Sequence, residues 1–214
     1  MAWSNFTAGL FTSGQILTAA QMNTYVRDNI LAGGPIFATE ALRDAGITSP
    51  FEGQRAYITG SSVAAATGAN TAVPTGINTV YNGTSWVCTT EVGAYTDTTG
   101  TTTSTTATST LTSGGTNPSV TLTTGTTALV TFSMGASITP APAAVTAGIS
   151  VNGAVPGNNI SQYSVITAGY FGTLAASLII TGLTAGTNTF SLVYYVSAGT
   201  GSFYNRRIWA KGIA

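Results

Sequence analysis

The sequence predicts a mainly β chain: a short helical N-terminus and a β-hairpin region, then an antiparallel sandwich or barrel. Three observations predict it. After Pro118, short runs of alternating polarity are separated by turn residues, the pattern of a sandwich or barrel. From Thr98 to Asn205 there is no Asp, Glu, Lys or Arg, so Thr, Ser, Asn and Gly stand where an ordinary domain carries charge. The clearest helical pattern, with a start and a stop signal, lies before Pro35.

The chain begins with Trp3, Phe6, Leu10 and Phe11 among Ser, Thr and Gly, with no clear period. This reads as an extended arm with aromatic anchors, since disordered tails are depleted in aromatics. Thr18-Ala19-Ala20-Gln21 matches a capping box, in which the Thr hydroxyl and the Gln side chain satisfy the first free N–H groups. Ala19, Met22, Val26 and Ile30 recur at helical steps, and Gly33-Gly34-Pro35 ends the pattern. A helix this short needs a partner for its stripe. That partner is either its own domain or another chain, and the sequence leaves both open.

A second short helix is expected over Thr39–Ala45, with Glu40 and Arg43 three apart and Gly46 as its cap. Phe51–Thr59 reads as a strand pairing with Thr79-Val80-Tyr81. The latter turns at Asn82-Gly83, a hairpin signal because both residues tolerate positive φ, into Thr84–Cys88. Ser61–Pro74 between them reads as a loop. Thr101–Ser109 is almost pure Thr and Ser, and reads as part of a linker. Thr127–Met134, Val145–Val151, Gln162–Ile166, Leu174–Thr181, Thr189–Val196 and Phe203–Trp209 are the expected strands of the sandwich. In the last, Phe203, Asn205, Arg207 and Trp209 should share one face, and Tyr204, Arg206, Ile208 and Ala210 the other. Either Arg206 or Arg207 then points inward and needs backbone carbonyls, Glu91 or Asp97 as partners. The other reading is a pair of solvated charges that guard an edge strand. The resulting division is an arm and helix (1–35), a small helix with a hairpin (36–95), a linker (96–117) and a sandwich (118–214).

Composition excludes several functions. Six basic and six acidic residues give zero net charge, which does not support a nucleic-acid-binding patch. Histidine is absent and Cys88 is the lone cysteine, so zinc sites and His-based triads are closed off. Cys88 reads as a small strand residue beside Trp86. The carboxylates Asp28, Glu40, Asp44, Glu52, Glu91 and Asp97 form no convincing pair, and the Gly-rich stretches lack a phosphate-loop lysine. The expectation is therefore no catalysis, no cofactor and no metal. No apolar run reaches the ~18 residues that span a bilayer. The N-terminus lacks the basic region of a secretory signal. A chain with only 6% charged residues should associate, because charge is what keeps monomers apart.

GQILTAAQMNTYVRDNI (14–30), PFEGQRAYIT (50–59) and VYNGTSWV (80–87) together resemble the N-terminal part of small virion proteins of tailed bacteriophages, of the minor tail, fibre or decoration type. The resemblance implies a structural role in the particle, made in the bacterial host cytoplasm, with the N-terminal region as the attachment end. The order ALVTFSM, ISVNG, LIITGLTAGTNTFSLVYYV and SFYNRRIWAKGIA resembles the trimeric jelly-roll domains of the tumour-necrosis-factor-like and complement-like type, and GLTAGTNTFSLVYYV and FYNRRIWA resemble the last strands of phage examples. That implies a C-terminal antiparallel jelly roll closing as a homotrimer.

On this reading Trp3, Phe6, Phe11, Met22, Val26 and Ile30 serve virion attachment or oligomerisation. Tyr194, Phe203, Tyr204, Arg206, Arg207 and Trp209 belong to the subunit interface or the core. Tyr163, Tyr170 and Phe171 are the candidate ligand-facing loop. The expected function is a non-enzymatic homotrimer displaying its jelly roll outward, with partners in other virion proteins. The alternative is a protein that binds a host receptor or surface glycan at the tail tip.

Overall fold

A computed structural model describes residues 34–60, 64–140, 143–155, 160–165 and 171–214, the 160–165 segment as backbone. The arm and the first helix therefore lie outside the described residues, as do Trp3, Phe6, Phe11, Met22, Val26, Ile30 and Tyr170.

Among the described residues the first element is β1 (Ile36–Phe37), followed by α1 (Glu40–Gly46), β2 (Arg55–Ile58), β5 (Ile77–Tyr81) and β6 (Trp86–Cys88) around a four-stranded sheet ordered β1-β2-β5-β6. Thr39 caps α1 by accepting the Leu42 amide at 3.2 Å. Gly46 is the last helical residue rather than the cap, which is Ile47. Arg43 is buried over the Trp86 ring, 4.7 Å from its centroid, and pairs with Asp44 at 2.8 Å. The β5–β6 turn corrects one expectation. It is a four-residue loop in which Gly83 alone has positive φ, and the Asn82 carboxamide accepts the amides of Thr84 and Ser85. Asn82 thus works as a turn-former through its side chain rather than through a left-handed backbone.

Ser61–Pro74 also departs from the loop reading. Within it, β3 (Ala65–Thr67) and β4 (Asn70–Ala72) pair with two different sheets of the sandwich, β3 with β9 (Ser119–Thr124) and β4 with β7 (Val92–Thr96). Small residues without a hydrophobic alternation hide such edge strands, because their pairing is supplied by backbone hydrogen bonds alone.

The sandwich is built from β7 (Val92–Thr96), β8 (Gly100–Thr102), β9 (Ser119–Thr124), β10 (Thr127–Thr139), β11 (Ala143–Val151), β12 (Ile160–Val165), β13 (Phe171–Thr181), β14 (Gly186–Val196) and β15 (Thr200–Gly212). One sheet runs β13-β10-β15-β7-β4, with β8 extending the pairing along β15. The other runs β12-β11-β14-β9-β3. Reading β7 and β9 to β15 as eight successive strands gives first–eighth–third–sixth in one sheet and second–seventh–fourth–fifth in the other. That is the connectivity of a jelly roll. The β10 pattern alternates strictly, with Ala128, Val130, Phe132, Met134, Ala136 and Ile138 all buried. They meet Leu122, Ile149, Phe190, Leu192 and Phe203 in a core between the sheets.

The jelly roll therefore begins at Val92, not after a linker. The Thr/Ser-rich stretch, expected as a linker over 96–117, is tied along the sandwich. Thr101 and Thr112 exchange backbone hydrogen bonds, as do Thr108 and Tyr194, and the Val196 amide donates to the Ser104 carbonyl. Where β9 stops pairing with β14, this strap continues the pairing. Leu111 is buried beneath it, and Gly100 and Gly114 pack so closely that a Cβ on Gly100 would lie 2.5 Å from the Gly114 Cα. Thr has strand propensity, and its small side chain suits such a close approach.

Candidate binding face

β15 positions the site, and a β-bulge decides what each of its side chains does. Ser133 pairs with Arg207 and Gly135 with Tyr204, so Asn205 and Arg206 together oppose Met134. Asn205 takes φ 50°, a left-handed conformation that Asn tolerates better than most residues. The extra residue shifts the alternation by one. Phe203 therefore shares the inner face with Arg206, Ile208 and Ala210, while Tyr204 shares the outer face with Arg207 and Trp209. The expected grouping of Phe203 with Arg207 and Trp209 is corrected by this bulge.

Arg206 is 1% exposed. Its guanidinium donates to the Tyr194 hydroxyl at 3.2 Å, to the Thr98 carbonyl at 3.2 Å and to the Gly114 carbonyl. Its Nε has no hydrogen-bond partner among the described residues. The Tyr194 hydroxyl in turn donates to Asn117 Oδ1 at 2.7 Å, and Asn117 Nδ2 donates to the Leu192 carbonyl at 2.9 Å. The buried cation is thus held by backbone carbonyls of the strap, with no carboxylate among these partners. Burial pushes the Tyr194 phenol up to about 12, against the opposing pull of Arg206.

The outer face presents different chemistry. Arg207 lies 5.6 Å from the centroid of the Tyr95 ring on β7. The Tyr204 ring takes the space a Cβ on residue 135 would need, with ring atoms 2.0–2.6 Å from that position. Trp209 likewise covers Gly93, where a Cβ would meet its indole at 2.5 Å. Phe171, at the start of β13, is 67% exposed and meets Tyr204 edge-on at 6.0 Å between centroids. Between β13 and β15 an open groove of about 370 Å³ is lined by Ser133, Met134, Gly135, Phe171, Gly172, Thr173, Tyr204, Asn205 and Arg207. At the other end of the same face, Ile179 is 66% exposed beside Leu129. Arg207 and Lys211 are the only charges that β10, β13 and β15 send outward.

The structure thus separates the six interface-or-core residues. Tyr194, Phe203 and Arg206 are in the core, whereas Tyr204, Arg207 and Trp209 are on the outer face. Phe171 opens a strand, and Tyr163 lies on β12, with its side chain outside the described residues. Sequence reasoning missed Tyr95, Asn205, Gly135 and Ile179 as parts of this face. The available signal was Gly and Asn inside strand patterns, which mark close approach and bulges. Among the described residues no group of three His, Cys, Asp or Glu could hold a metal ion. No described helix is long and apolar enough to cross a membrane.

No protein-family model matches the chain, and no curated protein matches it. Among solved structures it is similar to Eiger TNF from S. frugiperda, at 12% identity and a TM-score of 0.38 over 55% of this chain and 87% of that one. It is also similar to TmCBM61 in complex with β-1,4-galactotriose, at 12% identity and a TM-score of 0.25 over 56% and 68%. A third is infectious bursal disease virus, Gx strain, at 9% identity and a TM-score of 0.30 over 65% and 46%. The jelly-roll assignment rests on the strand order above.

Proposed function

We propose that this chain is a non-enzymatic structural protein of a bacteriophage particle. It is a homotrimer, attached to other virion proteins by its N-terminal region and displaying the jelly roll outward. The observation that carries this reading is the apolar, charge-poor end of the outer face, where Ile179 is two-thirds exposed beside Leu129 and near Trp209, with Lys211 the one charge in the row. Interface cores are depleted in charge and enriched in aromatics, and a stable contact buries about 800 Å² per partner. A face made of long, flat strands offers such an area.

Light scattering on the full chain tests it. The expected mass is about three times the 21.6 kDa of one chain. Ile179→Lys should give a monomer with an unchanged circular dichroism spectrum. A wild-type chain that stays monomeric at high concentration overturns the trimer.

The second reading, a host-glycan binding role, is favoured by one feature, the groove beside Phe171 and Tyr204. It occupies the opposite end of the face from Ile179. Ile179 lies eight residue steps along β13 from Phe171, about 27 Å at ~3.4 Å per step. Assembly and binding can therefore use different ends.

A further inference from the structure

We infer that the groove between β13 and β15 binds an acidic saccharide, a sugar chain carrying a carboxylate; this rests on the glycan-binding reading. The argument starts from strand register. Tyr95, Arg207 and Ser133 lie in one row across β7, β15 and β10, and Tyr204, Gly135 and Thr173 lie in the next across β15, β10 and β13. Phe171 flanks the second row and stays mostly exposed. The result is a band of aromatic surface with one cation in it.

Each part is held in place. Gly135 lets the Tyr204 ring settle onto the sheet, and Phe171 closes one wall edge-on. The Asn205 bulge is what brings Tyr204 and Arg207 to the same face and leaves Asn205 itself exposed at the groove. Aromatic walls with a few fixed polar groups are the make-up of small-ligand sites. Sugar rings have an apolar C–H face for Phe171 and Tyr204, and hydroxyls for Ser133, Thr173 and Asn205. Arg207 selects the acid. Its planar fork matches a carboxylate bidentately, and β10, β13 and β15 carry no acidic residue to compete for it. A neutral sugar would leave the only charge in the groove unused.

The full chain would be probed on a panel of acidic (uronic- and sialic-acid-bearing) and neutral oligosaccharides of matched length. Binding is expected on acidic members, at least ~10-fold over their methyl esters, since a charge-assisted hydrogen bond is worth that much. Arg207→Gln should erase the preference for acid over ester, and Phe171→Ala should weaken binding to both forms. Both residues are exposed, so both variants should keep the wild-type mass and spectrum. Binding confined to neutral sugars overturns the acidic class but leaves the glycan reading standing. Binding unchanged in both variants overturns the groove as the site. No binding anywhere on the panel overturns both readings, while the trimer is judged separately by mass.

Discussion

Replacing Arg206 by Met tests whether the strap is latched to the sandwich by this buried cation. Met keeps an unbranched apolar stem and removes every donor. The Thr98 and Gly114 carbonyls then lose their charged partner, and the Tyr194 hydroxyl loses one of its two. Each buried acceptor left unsatisfied costs about 1–3 kcal/mol. Relief of Arg206 desolvation offsets part of this, because the substitution removes the buried charge itself and leaves only neutral acceptors behind. We take about 3 kcal/mol, which in a chain of this size lowers Tm by roughly 6–12 °C. Chemical denaturation at fixed protein concentration reads the total. Hydrogen exchange reads the location: the Thr101, Thr108 and Thr112 amides, bonded within the strap or to β14, should exchange much faster than those of β10. Tyr194→Phe should lose about 1–2 kcal/mol with the same pattern. A Met variant within about 0.5 kcal/mol of wild type, the spread of an ordinary surface substitution, with strap exchange unchanged, would refute the latch.

Three further predictions follow from backbone geometry and titration. Gly135→Ala places a Cβ within the Tyr204 ring, so the ring must leave the sheet; about 1–3 kcal/mol of stability should be lost, with a shift in tyrosine fluorescence. At Asn205, with φ 50°, substitution by Gly should stay within about 0.5 kcal/mol, whereas Val should cost about 1–2 kcal/mol, as read by urea denaturation. Burial raises the Cys88 thiol from 9.0 to about 11 and the Tyr194 phenol from 10.0 to about 12. The folded state holds both protons more tightly than the unfolded state. Their contribution is therefore intact below pH 9 and is lost between about pH 9 and 12. Cys88→Ala should flatten the lower part of that alkaline decline and Tyr194→Phe the upper part, in stability measured against pH.

Much of the architecture was legible because it is local. The strands of β10, β13 and β14 announce themselves by alternation, α1 by the Glu40–Arg43 spacing, and the β5–β6 hairpin by Asn82-Gly83. What was not legible depends on partners distant in sequence. The strap at 98–117 has the composition of a linker, and only its hydrogen bonds to β14 and β15, dozens of residues later, make it part of the sandwich. β3 and β4 escape a sequence reading for the same reason, since their partners β9 and β7 lie elsewhere in the chain.

By itself, the sequence determined that the chain is mainly β, that its second half is almost without charge, and that two adjacent arginines take opposite faces of the last strand. Periodicity and composition are properties of single segments, so they survive without a fold. Tertiary structure decided which arginine goes inside. One residue in the left-handed region at Asn205 reverses the alternation of β15, and only the register against β10 fixes where the extra residue sits. It also decided that Tyr204, Arg207 and Phe171, from two strands far apart in sequence, share a groove, because register across β10 brings them together.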